Sequence, residues 1–298
     1  MLDFFISHRI RALLCIAFTA LMGSCASRHE APVLELLPVS TLDATTARLE
    51  SLLPTDVLLL GEQHDAKEHQ QIEQQVIALL ATRNLLAAVA IEMVDSGVST
   101  ASLKPSATEL QTQNILKWNH DAWPWAAYGP AVMTAVRAGV PVLGANLPRS
   151  KMQASMADGK LDVQLPGPAL KAQQQLIRTG HCHLLPESQI TPMTRIQIAK
   201  DITMANTLSQ AAVPGKIVVL LAGNGHVDGL LGVPQHLPAT LKVKAVRLHA
   251  GDSRDISDKA SFNAAWDTPA LPDTDYCASL RDQFDVPPQV KLPADASK

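Results

Sequence analysis

Five short segments rich in Val, Ile, Leu and Ala constrain this chain more than any other feature: 56–60, 87–91, 140–143, 217–221 and 243–248. A strand covered on both faces of a parallel sheet shows no polar alternation, so it reads as a short continuous apolar run. Between these segments the periodicity is helical. Ile72, Val76, Leu79 and Leu80 share one face with Gln and Glu opposite, and further helices are expected near 130–138, 169–178 and 191–211. The alternation predicts an α/β protein, a single layered domain with a mainly parallel sheet flanked by helices. A hydrophobic share of 47% over 298 residues supplies the core and excludes disorder and coiled coil. The net charge of -3, with no block of Lys or Arg, argues against nucleic acid as a partner.

The N-terminus reads differently. His8, Arg9 and Arg11 precede an apolar run from Ala12 to Met22 that ends in Gly23-Ser24-Cys25, the pattern of a secretory signal too short to remain as a membrane span. Leu21-Met22-Gly23-Ser24-Cys25 resembles a bacterial lipobox, which implies cleavage after residue 24 and lipidation of Cys25. The absence of Asp after the cysteine implies the outer membrane. The expected organisation is a signal over 1–24, a tether over 25–40, the α/β domain over 41–270 and a polar, Pro-rich tail over 271–298. In an oxidising compartment Cys182 and Cys277 are expected to form a disulfide; the alternative is a metal at Cys182 between His181 and His183.

Four of the predicted strands run into residues able to do chemistry. The first leads into Gly61-Glu62-Gln63-His64-Asp65, the second ends at Glu92, the third at Asn146 and the fourth in Gly223-Asn224-Gly225-His226. Carboxyl ends of parallel strands share one edge, where ligands bind, so Glu62, His64, Glu92, Asn146 and His226 should converge. Two carboxylates and two imidazoles can work as acid and base or hold a divalent metal ion. The glycines are expected at sharp turns or close approaches. A second cluster is aromatic. Only 4% of residues are aromatic, yet Trp118, Trp123, Trp125 and Tyr128 fall together. They form either a satellite core or a flat wall for a planar ligand, with the Tyr128 phenol as an oxygen ligand to ferric iron.

The segments 58–65, 91–93, 123–130, 145–149 and 223–227 resemble the ChaN-like haem-binding lipoprotein family. The resemblance implies an α/β sheet protein that binds haem in iron acquisition, with iron held by a tyrosine and paired haems across a homodimer. Carried to this chain, it implies Tyr128 as the metal ligand, Trp123 and Trp125 as the wall, Arg149 or Arg137 for the propionates, and His64 or His226 as a further cofactor-binding group. Gly61 with His64, Glu92 and the late Gly-x-Gly-His also resemble a wider group of erythromycin-esterase-like proteins and membrane-tethered metalloproteases. The alternative is therefore a metal-dependent or acid–base hydrolase using Glu62, His64, Glu92 and His226. A structural lipoprotein with a vestigial pocket is the third reading.

Overall fold

A computed structural model describes residues 39–252 and 261–284. The expected signal, Cys25 and nearly all of the tether lie outside the described residues, as does the end of the tail. In chain order the elements are α1 (Val39–Glu50), β1 (Val57–Glu62), α2 (Lys67–Thr82), β2 (Leu86–Asp95), α3 (Glu109–Leu116), α4 (Trp125–Arg137), β3 (Val142–Asn146), α5 (Arg149–Ala157), α6 (Gly167–Gly180), α7 (Glu187–Ala211), β4 (Ile217–Gly223), α8 (Asn224–Val227), β5 (Val243–Ala250), β6 (Ala264–Thr268) and α9 (Cys277–Phe284). Among the described residues no helix is long and apolar enough to cross a membrane.

The sheet has six strands in the order β3-β2-β4-β1-β5-β6, and every neighbouring pair is parallel. The α/β architecture is therefore as the sequence predicts; β6 and the helices α1, α3, α5, α8 and α9 are additional to the expected elements. Alternate strand residues feed two cores. Leu58, Leu60, Val89, Ile91, Val219 and Leu221 pack with Val76 and Leu80 of α2 and Met133 and Val136 of α4. Val57, Leu59, Ala88, Ala90, Val218 and Leu220 pack with Met204, Ala205 and Leu208 of α7. One feature of α2 departs from the amphipathic reading: Gln70, Glu73 and Gln75 are buried, not on a solvent face.

The connections create the site. From β1 the chain passes through α2 on one face of the sheet. From neighbouring β4 it passes through α8 to β5, burying Val227 and Val233 in the core on the opposite face. Adjacent parallel strands whose connections diverge leave a crevice at their carboxyl ends. The β1–β4 pairing ends at that crevice, with Glu62 beside Gly223. On the other side of β4, β2 carries a bulge. It pairs Ile91 with Gly144 and next Asp95 with Asn146. Glu92 lies in this irregular stretch, where a bulge re-aims side chains.

Gly61 permits the close approach expected of it: a Cβ there would lie 2.3 Å from Val227 Cγ2 and 2.7 Å from Asn224 Oδ1. At Gly225 the space is open, so no close approach holds it as glycine. Overpacking a filled core costs about 1–3 kcal/mol. Gly61→Ala is expected to lower unfolding stability by that much in urea denaturation, whereas Gly225→Ala should change it by less than about 0.5 kcal/mol.

Candidate active and ligand site

Glu62, at the end of β1, has a fully buried side chain. Its carboxylate gathers donors from three elements. His64 Nδ1 is 2.8 Å from Oε1, the Tyr128 hydroxyl of α4 donates to Oε1 at 2.8 Å, and Gln70 Nε2 of α2 donates to Oε2 at 2.6 Å. A buried carboxylate needs such donors, because burial without them is costly. The pairing also sets the orientation of His64: with Nδ1–H given to Glu62, Nε2 carries the lone pair when the ring is neutral. The His64 side chain is 41% exposed and is the accessible member of the cluster.

The second half is built around His226, in α8. Its Nδ1 lies 2.5 Å from Asp201 Oδ1 of α7, and its Nε2 lies 3.3 Å from Glu92 Oε1. The Gln197 amide is 3.1 Å from the same Nδ1. Glu92 also accepts the backbone N–H of Gly223 at 2.9 Å, and its Oε2 is 3.9 Å from His64 Nε2. Glu92 thus links the two imidazoles. Burial disfavours charge on His226, but the Glu92 and Asp201 carboxylates outweigh it and raise the imidazole to about 10. Burial raises Asp201 to about 6 against the pull of His226. For Glu92 burial is opposed and overcome by His226 and His64, which hold it well below the usual carboxylate range. His64 is raised more modestly, Glu62 and Glu92 prevailing over partial burial.

The sequence-predicted set therefore converges, with Asn146 as the exception. Its side chain bonds the N–H of Leu147 at the end of β3 and makes no described bond to the cluster. Two further groups belong to the set. Asp201 occupies a core position of α7, in line with Ile190, Thr194, Ile198, Ala205 and Leu208. A carboxylate on an apolar stripe was the signal available for it. Gln70 sits on the same inward face of α2. The pairing among these side chains also bears on metal binding: among the described residues, no three His, Cys, Asp or Glu side chains are arranged to hold a metal ion. Cys182 is bonded to Cys277, which leaves no free thiolate for the metal alternative at that triplet.

The aromatic segment takes the satellite-core form. Trp118 and Tyr128 are buried, and Trp123 and Trp125 pack half-buried against the same core. Trp118 meets Trp125 edge-on with centroids 4.9 Å apart, and Trp123 meets Tyr128 edge-on at 5.7 Å. The indole N–H groups are satisfied as well, Trp118 by the Trp123 carbonyl and Trp125 by Glu109. Tyr128 is only 2% exposed, and burial and then Glu62 push its phenol far above the ordinary value. In this structure the enclosed phenol donates to the Glu62 carboxylate. Trp123 reaches the site by another route, edge-on to His64 with centroids 5.0 Å apart. Arg149 is exposed at the start of α5, at the carboxyl end of β3, whereas Arg137 ends α4 and lies toward the opposite edge of the sheet.

An α/β fold with an acid–imidazole cluster at its switch point is the class these features define. Residues 48–237 match the family described as haem-binding uptake, Tiki superfamily, ChaN, and the chain belongs to that family. It is similar to the solved structure of cofacial haem binding to ChaN of Campylobacter jejuni, at 28% identity and a TM-score of 0.60, over 70% of this chain and 86% of that one. It also matches the type III effector HopBA1 at 16% identity and a TM-score of 0.44, over 76% of this chain and 94% of the effector. An erythromycin esterase in its open conformation matches at 13% identity and a TM-score of 0.39, over 68% of this chain and 72% of the esterase. No curated protein matches the sequence.

Glu73 of α2 is fully buried, and neither carboxylate oxygen has a hydrogen-bond partner among the described residues. Burial, then the nearby Glu62, raise its pKa well above the usual 4.5. A group whose folded pKa is raised adds stability below its unfolded pKa and loses it as pH rises. Glu73 therefore weakens the fold increasingly above pH 4.5. Glu73→Gln should gain stability relative to the wild type progressively as pH rises above 4.5, measured by urea denaturation across the acid-to-neutral range. A pH-independent difference would show that Glu73 titrates normally.

Proposed function

We propose that this protein is a lipid-anchored haem-binding protein of iron acquisition, tethered through Cys25 at the bacterial outer membrane. Membership of the haem-binding uptake family supports the ligand, and the Cys182–Cys277 bond suits an oxidising compartment. The pattern at 21–25 supports the anchor. The neighbour of known structure binds haem cofacially, and a homodimer pairing two haems is part of the same proposal.

Haem is the cargo here, and the observation that carries its placement is the state of His64. Its Nδ1 is committed to Glu62 and its ring is exposed, the arrangement that leaves an imidazole Nε2 to serve as an iron ligand. Trp123 stands beside it as an apolar edge. Tyr128 acts behind it, holding Glu62 and not the iron. Arg149 is the exposed guanidinium at the same edge of the sheet, suited to a propionate. His226, fixed between two carboxylates, serves as a buried positive charge and not as a ligand. Titration of the purified protein with hemin should shift the Soret band. His64→Ala should weaken binding by about tenfold or more, and Tyr128→Phe by less than about threefold. An unshifted Soret band in the wild type overturns the reading.

The Asp201–His226–Glu92–His64 chain supports a second reading, an acid–base hydrolase. Four linked titratable groups ending in one exposed imidazole can take up a proton at His64 Nε2 and redistribute charge behind it. Hydrolysis of ester or amide substrates, lost in both His64→Ala and His226→Ala, is the expected result under this reading. Turnover that survives both substitutions excludes the cluster as its source.

A further inference from the structure

The route of the chain around the strand-end site shows a feature that neither haem binding nor hydrolysis requires. α7 lies behind the sheet and meets His226 through Asp201, yet it begins at Glu187. Fourteen residues of helix, about 21 Å, therefore extend past the level of the site. α6 packs against α7, and the turn joining them carries Cys182. That turn is tightly held. Cys182 and His183 adopt φ of 56° and 59°, a left-handed conformation that L-residues rarely take. It persists where surrounding bonds impose it. Here those bonds are His183 N–H to the Arg178 carbonyl at 2.8 Å, the paired Arg178–Glu187 contacts at 2.9 and 2.8 Å, and the disulfide.

The other end of the disulfide leads back to the front of the sheet. Cys277 opens α9, and the preceding Tyr276 donates its hydroxyl to Asp65 at 2.5 Å. Asp65 directly follows His64 and comes just before α2, which covers the face opposite α7. A continuous path therefore runs from the α6–α7 turn through Cys182, Cys277 and Tyr276 to Asp65. It links the α6–α7 turn behind the sheet to the turn that carries His64 and leads into the layer in front.

We infer that this disulfide-bonded segment is a strap over the strand-end site, fastening the turn that carries His64 and restricting access to its Nε2. The inference rests on the strand-end cluster being the ligand site. The bond closes a loop of 95 residues, so its loss frees the 271–284 segment from the α6–α7 turn while leaving both cores untouched. Tyr276→Phe removes only the fastening to Asp65 and so should produce a smaller effect.

The test measures the accessibility of His64 directly. Purified protein is treated with diethylpyrocarbonate, which carbethoxylates neutral imidazole nitrogen, and the modified histidines are located by peptide mass mapping. Cys182→Ser and Cys277→Ser should each speed modification of His64 by about tenfold, and Tyr276→Phe by about threefold, with buried His226 unchanged in all three. Should the serine variants fail to fold, reduction of the folded wild type with a phosphine replaces them and should give the same acceleration. An unchanged rate at His64, or equal acceleration at His64 and His226, overturns the strap. Hemin titration of the same samples separates the two readings. Faster hemin dissociation alongside faster His64 modification supports both. Accelerated modification without hemin binding removes the haem reading and keeps the strap.

Discussion

Glu62 is the constraint on which the rest of the site depends. A carboxylate with no exposed surface must be fully bonded or neutral, and this one is bonded by side chains from α2, α4 and its own loop. Those donors fix the relative positions of the two front helices against the end of β1. They also fix His64, since Glu62 takes its Nδ1 and leaves Nε2 on the side of Glu92, 3.9 Å from its carboxylate. His226 plays the mirror role behind the sheet, where Asp201 brings in α7 and Glu92 brings in β2. The cluster is thus both a structural joint and a chemical site.

Two features of the joint carry a stability cost. Glu73 sits beside Glu62 with no hydrogen-bond partner among the described residues, and Glu92 lies in a bulge where a Cβ at Gly144 would come within 2.1 Å of the Asp95 carbonyl oxygen. Deviations of this kind concentrate where function is selected over stability. Both features lie beside the β1–β4–β2 edge, where Glu62 and Glu92 end up.

Much of this was legible in the chain. Val57 to Leu60 and Ile217 to Leu221 have residues suited to burial on both faces, so their positions and parallel pairing follow from pattern alone. Glu62, His64, Glu92 and His226 follow from where such strands end. The strand at 264–268 was not legible because only Trp266 of its residues is buried, as befits the edge of a sheet. Asp201 was hidden by distance: a long helix gives no local sign that one stripe position faces a histidine 25 residues on. The aromatic segment shows the limit of composition. Clustering of Trp118, Trp123, Trp125 and Tyr128 locates them together, but only packing decides whether the cluster faces inward or outward. Here the Glu62 carboxylate draws the phenol inward.

The placement of β4 between β1 and β2 has a consequence for how the molecule is made. Glu92 and the Gly223 N–H that it accepts are separated by 131 residues, and β4 is the strand that joins the two halves of the sheet. Until β4 inserts, β1 and β2 have no shared neighbour, and nothing holds Glu62 and Glu92 in register with each other or with His226. Loop closure over such distances is slow compared with forming helices, so the sheet's central pairing belongs to the late part of folding. An intact acid–imidazole cluster is therefore a signature of a completed chain: a nascent or truncated protein ending before β4 carries the glutamates but not the site.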